Sequence, residues 1–284
     1  MIAFIWVSIA LLATWFVAVL TRDIRRHRHD LTAGRWLSTA VIGFITNFFD
    51  VLGIGCFAPQ TALLRVTGQT DDRKIPGTLN VANTPAVLLQ ALIFITIIEV
   101  DPLTLVLLLL AAGVGAVVGA GVVARLDERR IRMTMGFALL ITAGFMVARS
   151  LNWIQGGGDA IGLAGAALVI AVVVNALLGA LMTAGVGLYA PCMALVFALG
   201  MSPRVAFPIM MGSCAFLMPP ASVRFIAAGA YDRKVSLIIA IAGLASVPIA
   251  AFVVKELPLD LLRWVVIAVI VYTSAVMLRA AFKR

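Results

Sequence analysis

The chain is written in apolar runs of about 20 residues, separated by short polar stretches in which arginine predominates. Such a length matches a helix crossing a hydrocarbon layer of about 30 Å. The pattern predicts an all-α, polytopic bundle of transmembrane helices. Two runs depart from it. Residues 36–66 form a stretch too long for one ordinary span, and residues 160–200 form another. Each carries two glycines and a proline near its middle: Gly53-Ile54-Gly55-Cys56-Phe57-Ala58-Pro59 in the first and Gly185-Val186-Gly187-Leu188-Tyr189-Ala190-Pro191 in the second. This arrangement predicts a helix broken within the membrane at both places, as a re-entrant hairpin or as a discontinuous pair.

The two copies lie 132 residues apart, and the likeness extends beyond them. At the same offset Ala62 matches Ala194, Leu63 matches Leu195, Gly68 matches Gly200 and Pro76 matches Pro208. Eight of the 24 pairs between residues 53 and 76 are identical, where so apolar a composition gives roughly two by chance. Farther on the offset becomes 131, pairing Val122-Val123 with Val253-Val254, Leu126 with Leu257 and Arg132 with Arg263.

Charge then orients the runs. Basic loops are retained in the cytoplasm. Arg22, Arg25, Arg26, Arg28 and Arg35 outnumber Asp23 and Asp30 in the first loop, which is read as cytoplasmic. The turn at Glu99-Val100-Asp101 is short and acidic and faces outside. Arg125, Arg129, Arg130 and Arg132 return the chain inside, and the Gly-rich stretch 150–160 is outside. Arg233 and Lys234 are inside, Lys255 to Asp260 outside, and Arg279, Lys283 and Arg284 inside. Each broken stretch must then enter and leave on one side. The first half, 36–150, begins inside, and the second, 160–282, begins outside. The halves are therefore expected to be inverted-topology repeats. Residues 1–20 lack a basic leader and are followed by arginines, so they are read as a span with the N-terminus outside and not as a secretory signal.

Composition agrees. The 284 residues are 63% hydrophobic and 12% charged, too little charge to coat a soluble surface. The net charge of +9 belongs to the cytoplasmic loops and does not imply nucleic acid. Cys56, Cys192 and Cys214 lie in apolar segments, with no disulfide framework and no metal-binding spacing. No phosphate-loop motif for ATP is present.

The breaks carry the candidate chemistry. Glycines admit irregular dihedrals and let a ligand approach the backbone. Pro59 and Pro191 fall in the first turn of the helix after each break, where a missing N–H costs nothing. A helix N-terminus in mid-membrane offers free N–H groups and a positive dipole end to an anion. The expected substrate-binding residues are Asn47, Gly53, Gly55, Cys56, Gln60, Thr61, Asn80 and Asn83 in the first half. In the second they are Gly185, Gly187, Tyr189, Cys192, Ser213 and Arg224. Asp50, three residues before Gly53 and one helical step from Asn47, is the expected coupling residue, binding a proton or a cation. Arg224 reads either as a substrate contact or as a side chain reaching the headgroups. Arg65 is read as interfacial, and His27 and His29 as loop residues.

Residues Gly43 to Leu64 (GFITNFFDVLGIGCFAPQTALL), continued by Asp71 to Leu92, resemble the TauE/SafE sulfite exporter family of membrane permeases. The resemblance covers roughly 36–282, which makes residues 1–20 an additional N-terminal helix. It implies transport of small anions, often sulfur-bearing ones such as sulfite, thiosulfate or sulfonates, across a bacterial inner membrane. The expectation is a secondary transporter working by alternating access, not an enzyme, without cofactor or metal, its partners being the anion and the bilayer. A channel on the same scaffold, a carrier of small carboxylates and a homo-oligomeric assembly remain open. A paired acid and base, as an intramembrane enzyme would need, is not evident beside the lone Asp50.

Overall fold

A computed structural model describes residues 2–31, 35–123, 125–151, 153, 158–185 and 187–253, with scattered positions from 264 to 282. Its helices are α1 (Ile2–Arg26), α2 (Trp36–Asp50), α3 (Phe57–Val66), α4 (Ile75–Ile97) and α5 (Pro102–Val123), then α6 (Glu128–Ser150), α7 (Gly165–Met182), α8 (Tyr189–Ala198), α9 (Ala206–Ala227) and α10 (Arg233–Val253). Among the described residues there is no strand, only an isolated bridge between Ala160 and Met201. Six helices, α1, α4, α5, α7, α9 and α10, are long and apolar enough to cross a membrane. The expected outside loop at 255–260, the pairing of Arg132 with Arg263, and Val186 lie outside the described residues.

The most buried of the six is α9, with 83% of its window inside the bundle, whereas α1 has 17%. The centre is therefore α9 and its partner α4, and α1 packs on the outside of both. α4 and α9 run antiparallel. The Thr84 and Ser222 hydroxyls meet at 3.0 Å, and Phe94 stacks on Phe207 at 5.5 Å, so later residues of α4 meet earlier ones of α9. Parallel pairs flank them. α5 lies beside α7, where the Asn175 amide donates to the Leu108 carbonyl at 2.8 Å. α2 lies beside α10, where Gly43 abuts Ile239 and Gly243 abuts Asn47. The α5–α7 contact needs glycine: a Cβ on Gly119 would stand 2.5 Å from the Ala180 carbonyl oxygen, and one on Gly115 would overlap that of Ala176.

Hydrogen bonds sort the connections onto two faces. On one, Asp23 accepts from Tyr231 at 2.6 Å and from Arg233 at 2.7 Å, and Thr78 accepts from the Asp232 N–H at 2.9 Å. Asp72 accepts there from Arg65 and from Arg132, the latter at 2.8 Å. Arg65, expected at the interface, is thus tied into an ion cluster with Asp72. On the opposite face the Asp101 N–H donates to the Ile161 carbonyl, and the Ser202 N–H to that of Ala160, both at 2.9 Å. The groups match the loops that charge had placed together, 21–35 with 125–132 and 233–234, and 99–101 with 150–160.

The short helices sit between these faces. α2 has 15 residues and α3 has 10, about 22 and 15 Å long, too short to cross a layer of about 30 Å. Their outer ends are joined: the Thr39 hydroxyl and the Gln69 amide side chain bond at 2.9 Å, and Gln69 donates to Ser38 at 2.8 Å. The start of α2 and the residues just after α3 therefore lie side by side. The bridge between residues 160 and 201 likewise holds the outer ends of α7 and α8 together.

Candidate functional site

The two hairpin tips unwind in the same way. The Gly53 N–H donates to the Asp50 carbonyl at 2.9 Å, and the Gly185 N–H to that of Met182 at 3.0 Å. Both glycines then turn to positive φ, 77° at Gly53 and 96° at Gly185, where a side chain would be strained. Gly55 is also left-handed, at 88°. After each tip a new helix begins, with Pro59 and Pro191 as its third residues.

The tips meet. Asp50, 1% exposed at the end of α2, takes the Cys56 N–H on Oδ1 at 2.6 Å. The positive end of α3 therefore already faces a carboxylate. Asp50 Oδ2 accepts from the Gln90 side chain of α4 at 2.8 Å. From the opposite hairpin the Tyr189 hydroxyl reaches Gln90 Oε1 at 3.0 Å and Asp50 Oδ2 at 3.3 Å, sharing its one proton between them. Among the described residues no cationic side chain pairs with Asp50. At the equivalent place in the second half, Met182 brings no charge, and its sulfur lies 3.5 Å from Cys214 Sγ.

A small cavity lies where these groups converge. Asp50, Gly55 and Cys56 line it from one tip, Gly187 and Tyr189 from the other, and Cys214 from α9. It has room for roughly one water molecule. Four of the expected residues, Gly55, Cys56, Gly187 and Tyr189, thus share one site with Asp50.

Others are engaged elsewhere. Gln60 Nε2 donates to Thr46 and to Asn83 Oδ1, both at 2.8 Å, and Asn83 returns a bond to Gln60 Oε1 at 2.8 Å. Asn47 joins through Asn83 Oδ1 at 2.9 Å, not through Asp50. This buried amide network ties α2, α3 and α4 together, and it leaves Asn47 Oδ1 without a hydrogen-bond partner among the described residues. Thr61 bonds back to the Phe57 carbonyl at 2.8 Å, and Asn80 to that of Pro76 at 2.9 Å. Ser213 accepts from Asn175 at 2.9 Å between α7 and α9. Cys192 is buried in α8, and Gly53 and Gly185 shape the tips. Arg224 is exposed in the last turn of α9, its guanidinium against Gly121 of α5.

Gln90, Met182 and Cys214 were not among the expected site residues. Gln90 was legible as the third amide of its apolar run, seven residues past Asn83 and hence two helical turns along one face. Met182 carries no signal beyond matching Asp50 at the offset of 132.

A family model described as Sulfite exporter TauE/SafE matches residues 1–146, about half of the chain and inclusive of α1. No curated protein and no solved structure matches the chain.

Proposed function

The chain belongs to the sulfite exporter TauE/SafE family, and from that membership we propose a secondary transporter for a small sulfur-bearing oxyanion, with the substrate held between the two hairpin tips. The family is one of multi-pass membrane transporters, so a bilayer and a small anion are its partners. One observation carries the site: the two tips converge, through Tyr189, on one buried carboxylate.

Inverted repeats are the reading that best explains the packing. The contact of Asn47 with Gly243 has a counterpart in that of Gly179 with Ala112. Those pairs interchange under the offsets of 132 and 131 found in the sequence. Two related halves that exchange roles give alternating access without a new contact being invented.

The proposed mechanism starts from the asymmetry at the helix ends. The N-terminus of α3 faces Asp50, and that of α8 has no carboxylate at the equivalent place. An entering anion is therefore drawn to the α8 end, where Tyr189 stands, and it repels the Asp50 carboxylate across the cavity. A proton arriving with the anion neutralises Asp50 and relieves that repulsion, which couples the two fluxes. Room for roughly one water cannot hold an oxyanion, so the tips separate to admit it. So tight a meeting favours a carrier over an open pore.

Proteoliposomes test this with sulfite, thiosulfate, a sulfonate, sulfate and a small carboxylate, with and without a pH gradient. Saturable uptake of one sulfur oxyanion, showing counter-transport, is expected. Movement of a cation or neutral solute while every anion stays outside overturns the proposal, and unsaturated conductance replaces the carrier with a channel.

A further inference from the structure

Away from the hairpin tips, the flank of the bundle between α1, α5 and α9 holds a groove. Ser8 and Leu11 of α1, Gly113 and Val114 of α5, and Phe216 and Pro220 of α9 wall an apolar channel of about 530 Å³. At one end it runs into a second pocket, of about 540 Å³, and the two share Val117 and Val118. The second pocket differs in chemistry. Arg125, Arg130 and Arg224 line it, and among the described residues no acidic side chain does.

These arginines are poorly neutralised. Arg130 makes an exposed pair with Asp127 at 3.2 Å. The guanidinium groups of Arg125 and Arg224 have no ion-pair or hydrogen-bond partner among the described residues. A Cβ on Gly121 would lie 2.9 Å from Arg224 Nη1. The guanidinium is thus folded over the end of α5 toward Arg125, not extended away from the bundle. The pocket opens on the face that carries the basic loops, where α1 also ends in Arg25 and Arg26. An apolar groove that ends under a cluster of guanidinium forks is complementary to a molecule with a phosphate at one end and an acyl chain at the other.

We propose that this groove is a binding site for an anionic phospholipid, the phosphate held by Arg125, Arg130 and Arg224 and one acyl chain lying between α1, α5 and α9. The lipid would brace α1 against the core, since α1 buries little of its own surface there. The site is independent of the transported anion, because none of its residues lines the cavity at the tips.

Native mass spectrometry and thermal melting in mild detergent test it on the full chain, with phosphatidylglycerol, phosphatidylcholine and inorganic phosphate as separate additions. Phosphatidylglycerol is expected to remain bound and to raise the melting temperature, while the other two do neither. The double variant Arg125→Gln/Arg224→Gln should bind phosphatidylglycerol about tenfold or more weakly, yet melt normally without lipid. Val114→Trp, which fills the exposed channel, should weaken it as well. Equal retention of phosphatidylcholine, or undiminished phosphatidylglycerol binding by the arginine variant, overturns the proposal. So does a lipid-independent dimer that Val114→Trp dissociates, which would make a second copy of the chain the occupant. Protection by inorganic phosphate alone reduces the site to an anion pocket and removes the lipid.

Discussion

Asp50 meets three neutral donors and no cation among the described residues, an unusual setting for a carboxylate in a bundle this apolar. Its geometry separates two roles. Asp50→Asn keeps an acceptor for the Cys56 N–H but removes the exchangeable proton, so accumulation driven by a pH gradient should vanish while substrate exchange continues. Unchanged accumulation assigns Asp50 to structure alone. Tyr189→Phe tests the other hairpin. Phe57 fills the equivalent position of the first half, so the ring is tolerated there. Loss of the hydroxyl should lower transport about tenfold, the worth of one buried hydrogen bond to a charged group, with little change in folding. Cys56 supplies a third measurement. It is 2% exposed and lines the cavity, so a small thiol reagent should modify it slowly, and saturating substrate should slow it further. Fast, substrate-insensitive labelling would separate the cavity from the transport path.

At the scale of elements, caps and close contacts set the helices in place. Asp101 starts α5: its Oδ2 accepts the Thr104 N–H at 2.8 Å and the Thr104 hydroxyl at 2.7 Å, with Pro102 at the first helical position. The Thr104 N–H, then its hydroxyl, hold the Asp101 carboxyl below the usual carboxylate range. Because the folded state favours the ionised form, this cap stabilises fully above the unfolded carboxyl's pKa and weakens only as pH falls through the lower folded value. Asp101→Ala should cost about 1 kcal/mol at neutral pH, read as a lower melting temperature. Gly119→Leu is a harsher change, since its Cβ has only 2.5 Å to the Ala180 carbonyl and 2.6 Å to the Thr183 hydroxyl. It should drive α5 from α7 and abolish folded, detergent-stable protein. Recovery of normal protein would show that the two helices can separate without loss of the bundle.

The whole molecule is a helical bundle in which six helices are long and apolar enough to cross a membrane. The face holding Asp23, Asp72, Arg132 and Arg233 has the basic loops and is expected to be cytoplasmic. The native cysteines are buried, which leaves the surface free for a labelling test. Cysteines placed at Asp127 and at Glu99, both exposed, should react with an impermeant maleimide from opposite sides of the membrane, Glu99→Cys from the outside. Labelling of both from one side would break the crossing count on which the inverted halves rest.

The sequence by itself determined the helical, membrane-spanning class of the chain, the polar stretches at which its apolar segments end, and the glycines that interrupt two of them. Each of those depends on local composition, on spacing, or on glycine and proline chemistry, and the chain states them residue by residue. Tertiary structure alone decided who meets whom. Asn47 looked like the companion of Asp50 because they are one turn apart, but Asn47 faces Asn83, and the companions of Asp50 are Gln90 and Tyr189, 40 and 139 residues away. Gln60 and Asn83 looked like ligands for a substrate, and packing spends them on each other. Arg224 went to a flank that no motif marked. A polar residue in an apolar run announces that it must be satisfied, but the partner that satisfies it comes from a distant segment, and only the packed bundle brings that segment near.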